Sequence, residues 1–170
     1  MKEFSVSGPF NVPIEPGMVG KIVARNLDGF WERAEVNPFQ YMHGVYIFVV
    51  QASGGMTPWY VGQAARQGFG KEAFGPHQRN QYSHALAKYE RGKPAIFFVG
   101  HPVSRGKINA KLIDKVETFL IDIASRKNPE LGNVKKKPQY QWRIRGVIRS
   151  KRGEGKSQAA ARLTRMLDLR

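Results

Sequence analysis

The sequence predicts a chain of the α/β (α+β) class, with a small, largely antiparallel three-stranded sheet flanked by helices. Two observations support this prediction. Runs of β-branched and aromatic residues occur at 45–51, 59–64 and 94–101, which favours three strands. Apolar residues recur at helical spacing over 76–91 and 109–127, so one helix should precede the third strand and another should follow it.

The first two predicted strands form a hairpin. The connecting segment 52–58 contains Gly54 and Gly55, which supply the positive φ that hairpin turns often need. The interval 63–75 after the hairpin carries three more glycines, so we expect a loop or a short irregular insertion there.

The two predicted helices have recognisable ends. Proline suits the first turn of the helix at 76–91, and Gly92 closes it. Asn109 is the predicted N-cap of the second helix, and Ile108 just before it should pack onto Ile113 as a hydrophobic staple. This helix should end near Lys127. The predicted apolar stripes are Tyr82, Ala85, Leu86 and Tyr89 in the first helix, and Leu112, Ile113, Val116, Phe119, Leu120 and Ile123 in the second.

The remaining chain is predicted to extend this core at both ends. Residues 1–42 contain β-like pieces at 4–8 and 21–26, broken by prolines, and should form an N-terminal extension packed on a core of residues 43–134. Residues 135–170 should form a basic C-terminal tail, containing a strand around WRIRGVI and a helix after a serine N-cap.

Charge is the strongest global signal in the sequence. The chain has 28 Lys and Arg against 13 acids, a net charge of +15 and a pI near 10.3. The segment 134–170 alone carries twelve Lys or Arg and two acids, so most of the excess lies in the tail. Such a field attracts polyanions, and we predict DNA, or RNA, as the partner. A membrane partner is not expected, because the tail lacks a bulky apolar face flanked by Trp or Phe.

Composition also excludes several kinds of chemistry. The chain has no cysteine, which rules out disulfides, thiolate metal sites and a cysteine nucleophile. The first residues contain no apolar signal region, and no apolar run approaches transmembrane length. We therefore expect a cytoplasmic protein.

One carboxylate and two phenols are predicted to lie at the edge of the core. Glu117 lies on the flank of the second helix's apolar stripe, where it could bind a hard divalent cation or pair with Lys115 or Lys135 as an edge glutamate. Tyr46 and Tyr60 should lie on the same face of the hairpin. There they could position water or accept a proton, or they could be amphipathic residues at the edge of the core.

Basic residues on the first helix are candidates for anion binding. Arg79 lies near the helix N-terminus, where a guanidinium and the helix dipole both favour phosphate. His84 follows five residues later and should occupy a different face. The four histidines show no spacing typical of a zinc site.

The order of these residues is similar to that of a known family. The tripeptide GVY at 44–46, then YVG at 60–62, Arg79, a helix with an internal Glu117 and a following Asn133 together resemble the GIY-YIG nuclease family. The resemblance extends over about residues 43–134 and implies a GIY-YIG-like fold and a phosphodiester hydrolase that uses one divalent metal, Mg²⁺ or Mn²⁺.

The resemblance also implies roles for the matching residues. Glu117 would be the metal ligand, and Tyr46 the general base or water-positioning group. Tyr60 would shape the site, Asn133 would brace it, and a basic residue of the first helix would clamp the scissile phosphate. A lone metal neutralises only part of the phosphate charge, so a cation is needed for the rest.

The position of the clamping cation departs from the family's pattern. Arg79 lies seventeen residues beyond Gly62, further than is usual, which makes Arg66 and Lys71 rival clamps. The family's histidine one turn after that arginine is matched only loosely by His84.

The sequence therefore predicts a metal-dependent endonuclease acting on DNA, with a binding protein that has lost hydrolysis as the alternative. A basic structural protein of a ribosome or phage particle is a third, weaker reading. The tail's cations alternate with aromatic residues, which suits backbone contacts and base stacking. The predicted nucleic-acid contacts are Lys71, Lys135, Lys136, Lys137, Arg143, Arg145, Arg149, Lys151 and Arg152.

Overall fold

A computed structural model describes most of the chain. The described residues are 3–17, 20–53, 55–89, 92–102, 107–133 and 157–166, with the single residues 144, 147, 153 and 155. The chain divides into two compact units, Met1–Lys137 and Pro138–Arg170, and each is described by itself.

The described residues of the first unit form four strands and four helices. In chain order they are β1 (Ser5–Asn11), α1 (Leu27–Glu32), β2 (Gly44–Ala52), β3 (Gly55–Ala64), α2 (Phe69–Glu72), α3 (Pro76–Ala87), β4 (Lys93–Gly100) and α4 (Ala110–Lys127). Two short 3₁₀ turns, Ala24–Asn26 and Asn37–Phe39, flank α1.

The four strands form one antiparallel sheet in the order β1-β4-β2-β3. The predicted α+β class and antiparallel pairing are confirmed, but the predicted count of three strands is wrong. β1 comes from the β-like piece assigned to the extension, and it pairs along β4, with Val6 opposite Val99. This pairing satisfies backbone groups that β4 would otherwise expose at an edge. The other β-like piece, 21–26, instead leads into a 3₁₀ turn and α1.

The predicted hairpin is confirmed as β2 and β3, with a tighter connection than expected. The return strand starts at Gly55 rather than at residue 59, and Gly55 has φ +110°. Tyr46 lies opposite Gly62, and the register shifts between Phe48 and Val49. This irregularity bends β3, as a β-bulge does, before the strand reaches YVG.

The predicted helices exist, with differences at their ends and faces. α3 ends at Ala87, four residues earlier than predicted, and the short α2 lies within the interval predicted to be a loop or irregular insertion. α4 begins after Asn109, whose Oδ1 accepts a hydrogen bond from the Leu112 N–H at 3.0 Å, and it ends at Lys127 as predicted.

The predicted apolar stripe of α4 is partly wrong. Phe119 is 65% exposed and Ile123 is also exposed. The buried face instead runs through Ile113, Glu117, Ile121 and Ala124, a stripe rotated from the predicted one by a fraction of a turn. Glu117 thus lies at the centre of the buried face and not on its flank.

Two apolar clusters cover opposite faces of the sheet. On one face, Phe48 stacks on Tyr82 of α3 with ring centroids 3.9 Å apart, and Phe98 stacks on Trp31 of α1. On the other face, Val45 and Val61 pack with the buried residues of α4. α4 therefore packs beside β3 and β2, which puts its buried glutamate close to the hairpin.

The described part of the second unit consists chiefly of one helix, α5 (Gln158–Met166). The predicted N-cap is confirmed, because Ser157 Oγ accepts a hydrogen bond from the Ala160 N–H at 3.1 Å. Of the predicted strand around WRIRGVI, only Ile144 and Val147 are described, and the Val147 N–H donates to the Ile144 carbonyl as in a turn. None of the described helices has the length and apolarity needed to cross a membrane.

Candidate active site

The two glycines of the tripeptides are required by close packing. A Cβ added to Gly62 would lie 2.4 Å from both Cζ and the hydroxyl oxygen of Tyr46. Gly44 has φ +153°, and a Cβ there would lie 2.1 Å from the carbonyl oxygen of Val99 and 3.0 Å from the Phe69 ring. Both positions therefore exclude a side chain. At Gly62 it would collide with the Tyr46 ring, and at Gly44 it would collide with the β4 backbone that pairs with β2.

The absence of a side chain at residue 62 lets Tyr46 lie across β3. Its ring stacks beside that of Tyr60, with centroids 6.3 Å apart and planes 21° apart, so the prediction that the two share a face is confirmed. The Tyr46 hydroxyl donates to the Glu72 carbonyl oxygen at 3.2 Å, which connects β2 to α2. Tyr46 is thus fixed on three sides by a glycine, a tyrosine and a backbone carbonyl.

The electrostatic surroundings of Tyr46 favour its protonated form. Burial raises the pKa of Tyr46 well above its ordinary value, and the nearby Tyr60, Glu72 and Glu117 raise it further. A hydrogen bond with the Gln78 side chain lowers the pKa and partly offsets these effects. Tyr46 is therefore a neutral phenol at neutral pH, and Glu117 lies close enough to influence its titration.

Glu117 reaches this position from α4. The residue is only 6% exposed, with Ile113 one turn before it and Ile121 one turn after it on the buried face. A carboxylate buried among aliphatic side chains costs free energy unless it is compensated. The arrangement places a carboxyl group, the kind of oxygen ligand that hard divalent cations prefer, within electrostatic range of Tyr46.

Asn133 braces the outer edge of β3. Its Oδ1 accepts a hydrogen bond from the Val61 N–H at 2.8 Å, and its Nδ2 donates to the Val61 carbonyl at 2.5 Å. The Gly132 N–H donates to the Trp59 carbonyl, and Asn128 Nδ2 donates to that of Pro58. Side-chain and backbone groups of 128–133 therefore make the hydrogen bonds to the edge of β3 that a neighbouring strand would otherwise make. They fix the backbone of Val61, between the two tripeptide residues Tyr60 and Gly62.

A cleft of about 670 Å³ opens between the end of β3, α2 and the first turns of α4. Its charged lining mixes three cations with two acids, one of which is the Glu72 that also contacts Tyr46. Lys111 and Lys115 come from the N-terminal turns of α4, where the helix dipole also favours anions. The charged lining residues are Arg66, Glu72, Lys111, Asp114 and Lys115.

The three rival clamping cations occupy different places. Arg66 is exposed and lines this cleft. Lys71 lines a separate pocket with Gln40 and Tyr41. Arg79 is partly buried on α3, directly after Gln78, and its buried Nε has no hydrogen-bond partner among the described residues. Arg79 thus has a buried Nε donor that no described residue satisfies, whereas Lys71 faces another part of the surface.

The histidine near the tyrosines is not the predicted one. His84 is exposed on α3, five residues beyond Arg79 and on another face of the helix. The ring of His77, at the start of α3, instead lies edge-on to Tyr60 with centroids 6.5 Å apart.

Sequence reasoning missed Glu72 and Gln78 as neighbours of Tyr46. Gln78 is the third residue of α3, which begins at Pro76, so the proline located Gln78 in the first helical turn but did not indicate its contact with Tyr46. Glu72 lay in a segment without readable periodicity, and nothing in the sequence indicated its contact.

The predicted contacts of the tail lie outside the described residues. These are Lys135, Lys136, Lys137, Arg143, Arg145, Arg149, Lys151 and Arg152.

The residues present fit a magnesium ion that keeps most of its water. Mg²⁺ is commonly held by one or two carboxylates together with substrate phosphates. Within the described residues, no group of three or more His, Asp or Glu side chains forms a metal cage. Glu117 supplies one buried carboxyl group, and Glu72 and Asp114 line the nearby cleft.

Comparison with known proteins identifies no relative. The chain matches no protein-family model, no curated protein and no solved structure. The similarity to GIY-YIG nucleases consequently rests on the residues of the sequence and stays a prediction.

Proposed function

We propose that this protein is a metal-dependent endonuclease that hydrolyses phosphodiester bonds in DNA through a GIY-YIG-type site. The observation that carries the proposal is the stacking of Tyr46 beside Tyr60, with the buried Glu117 within electrostatic range of Tyr46. These residues come from three separate elements, β2, β3 and α4, and Gly62 leaves the space that the Tyr46 ring occupies. Packing alone would be served as well by an apolar residue in place of the buried carboxylate.

Each residue has a chemical task in this proposal. Glu117 would hold the Mg²⁺ or Mn²⁺, which supplies Lewis-acid stabilisation of phosphate charge when bound. Tyr46, as a neutral phenol, orients the attacking water by hydrogen bonding. Tyr60 holds the Tyr46 ring in place, and Asn133 keeps β3 in position.

Two arginines divide the task of stabilising the phosphate. The Nε of Arg79 is already buried, so its guanidinium loses little freedom when it binds an oxygen in the transition state. Arg66 is exposed on the cleft, where it binds the substrate backbone before reaction. The net charge of +15 adds long-range attraction for DNA.

One observation favours the alternative of a nucleic-acid-binding protein without hydrolysis. The Tyr46 hydroxyl is already hydrogen-bonded to the Glu72 carbonyl, and its raised pKa makes it a poor base. The hydroxyl can still accept a hydrogen bond from the attacking water, but it donates to a substrate oxygen only if a bound substrate or cation displaces it from this carbonyl. A binding protein would not need that rearrangement.

The test is metal-dependent nicking of supercoiled plasmid DNA by the full chain. We expect nicking with Mg²⁺ or Mn²⁺, none in EDTA, and none from Glu117→Gln. The matched control is Glu130→Gln, which removes an exposed carboxylate that pairs with Lys88 at 3.0 Å on the surface. Such pairs contribute about 0–1 kcal/mol to stability, so this variant should fold and cut like the parent.

Two outcomes would contradict the proposal. If Glu117→Gln cuts at the parental rate, the glutamate is not the metal ligand. If the parent cuts no DNA with either metal yet binds it with a steep salt dependence, the binding alternative holds.

A further inference from the structure

A second pocket, here called the Tyr41 pocket, lies apart from the cleft beside Tyr46. It has a volume of about 450 Å³, which is within the range of small-ligand sites. It is formed by the residues just before β2 and by the start of α2. The lining residues are Gln40, Tyr41, Gln67, Gly68, Gly70 and Lys71.

Tyr41 presents its ring to solvent. It is 79% exposed, although Phe39 and Met42 on either side of it pack against the core. No hydrogen bond or ring contact holds its side chain within the described part of the chain. The backbone around it is fixed by its neighbours, so the exposed ring is displayed from a rigid support.

Two close backbone approaches build the floor of the pocket. The Gly70 N–H donates to the Gln40 carbonyl at 2.8 Å, and the Phe69 N–H donates to the Met42 carbonyl at 2.9 Å. A Cβ at Gly68 would lie 2.6 Å from the same Gln40 oxygen. Glycine is therefore required for the two segments to meet, and the pocket is pre-formed.

The lining offers three complementary groups in one place. The Tyr41 ring provides a flat apolar face, which stacks on any nucleobase. The carboxamides of Gln40 and Gln67 both donate and accept hydrogen bonds, as base edges require. The Lys71 ammonium provides a positive charge for a phosphate. We propose that the Tyr41 pocket binds an unpaired nucleotide of a DNA strand.

The pocket and the candidate active site lie on either side of α2. Gly70 and Lys71 line the pocket, and the next residue, Glu72, contacts Tyr46 through its carbonyl. α2 has four residues and is about 6 Å long. A strand with one nucleotide held in the pocket would therefore pass close to Tyr46. This part of the inference rests on the proposed nuclease function, and the binding site itself does not.

The test measures equilibrium binding by fluorescence anisotropy in EDTA, where no cleavage occurs. The probes are a labelled oligothymidylate and a fully paired duplex of the same length. Tyr41→Ala should weaken binding of the single strand about tenfold, because loss of one stacking partner costs on the order of that factor, and should leave duplex binding unchanged. Tyr41→Phe should restore single-strand binding. Lys71→Gln should reduce the salt slope for the single strand by about 0.7.

The matched control is Phe119→Ala, which removes an exposed aromatic ring on α4 outside the pocket. It should bind both probes like the parent. The proposal is overturned if the parent does not bind the single strand. It is also overturned if Tyr41→Ala binds that strand with parental affinity, or if Phe119→Ala weakens binding equally. None of these outcomes depends on cutting, so failure here and failure of the Glu117→Gln test are distinguishable.

Discussion

The ring of Tyr46 lies over the Cα of Gly62, so close that a Cβ at residue 62 would lie 2.4 Å from the phenolic oxygen. The two residues are paired across β2 and β3. This relationship explains why a tyrosine in the first tripeptide occurs together with a glycine in the second. It also allows Tyr46 to come within electrostatic range of Glu117.

Gly62→Ala should therefore destabilise the fold and displace Tyr46. The added methyl group must push aside a ring confined by Tyr60 and Phe69, and overpacking of this kind costs about 1–3 kcal/mol. Urea unfolding measures this loss. In a Tyr46→Ala background the same change should cost little, because the clash is gone. Equal costs in both backgrounds would show that Tyr46 is not the cause.

Gly29→Ala provides a control for the loss of a glycine. A Cβ at Gly29 would meet no atom within 4 Å, and the residue lies inside α1. Alanine has a higher helix propensity than glycine, so we expect this variant to be as stable as the parent or more stable by about 0.5–1 kcal/mol.

Asn133→Ala should loosen the edge of β3. The change removes both hydrogen bonds to Val61 and leaves buried backbone groups without these partners, at a cost of about 2–4 kcal/mol. Urea unfolding measures the cost, and faster hydrogen exchange at the Val61 amide would locate it. Asn109→Ala, which removes only the exposed cap of α4, should cost about 1 kcal/mol and leave that amide protected.

Stability should fall at alkaline pH because of buried tyrosines. Burial raises the pKa of Tyr46 and of Tyr82 above the ordinary value of 10.0. In the unfolded chain these phenols lose their protons from about pH 10, while the folded chain retains them. The unfolding free energy should then decrease by about 1.4 kcal/mol per pH unit for each such tyrosine.

Tyr82→Phe isolates one of these contributions. The variant loses the hydrogen bond from the Tyr82 hydroxyl to the Ala73 carbonyl, which is a pH-independent cost below about pH 9. Above about pH 10 its stability should decline less steeply than that of the parent. Parallel curves over the whole range, measured by urea unfolding, would contradict the assigned pKa direction.

The two arginines should differ in nuclease kinetics. Arg79→Ala should lower kcat about 10²–10³-fold, because it removes a pre-positioned donor to the transition state. Arg66→Ala should chiefly raise KM, because an exposed cation on the cleft contributes to substrate binding. Lys127→Ala, at the far end of α4, is the control and should change neither constant. If Arg66→Ala instead lowers kcat and Arg79→Ala is neutral, the assignments are reversed.

Local features of the sequence predicted most of the elements. The β-branched run of β2, the paired glycines of the hairpin and the cap at Asn109 each act on their immediate neighbours, so they were readable without tertiary information. The same holds for Ser157 at the start of α5. The residues of the proposed site were also predicted from the sequence, through the order of the two tripeptides, Glu117 and Asn133.

Long-range contacts decided what the sequence left open. β1 became a fourth strand because β4 offered an unpaired edge, and the β-like piece at 4–8 did not by itself indicate that partner. The buried face of α4 includes Glu117 and excludes Phe119, since the packing partners on β2 and β3, and not apolarity alone, fix which side of the helix is covered.

The sequence by itself therefore determined most of the antiparallel α+β elements, and it predicted the tyrosines, the glutamate and the asparagine of the proposed site. Only the tertiary structure decided that Gly62 makes room for the Tyr46 ring, and that Glu72 and Gln78 contact it. The reason is physical: a turn or a cap is fixed by adjacent residues, whereas the charge state and reach of Tyr46 depend on groups brought together from distant parts of the chain.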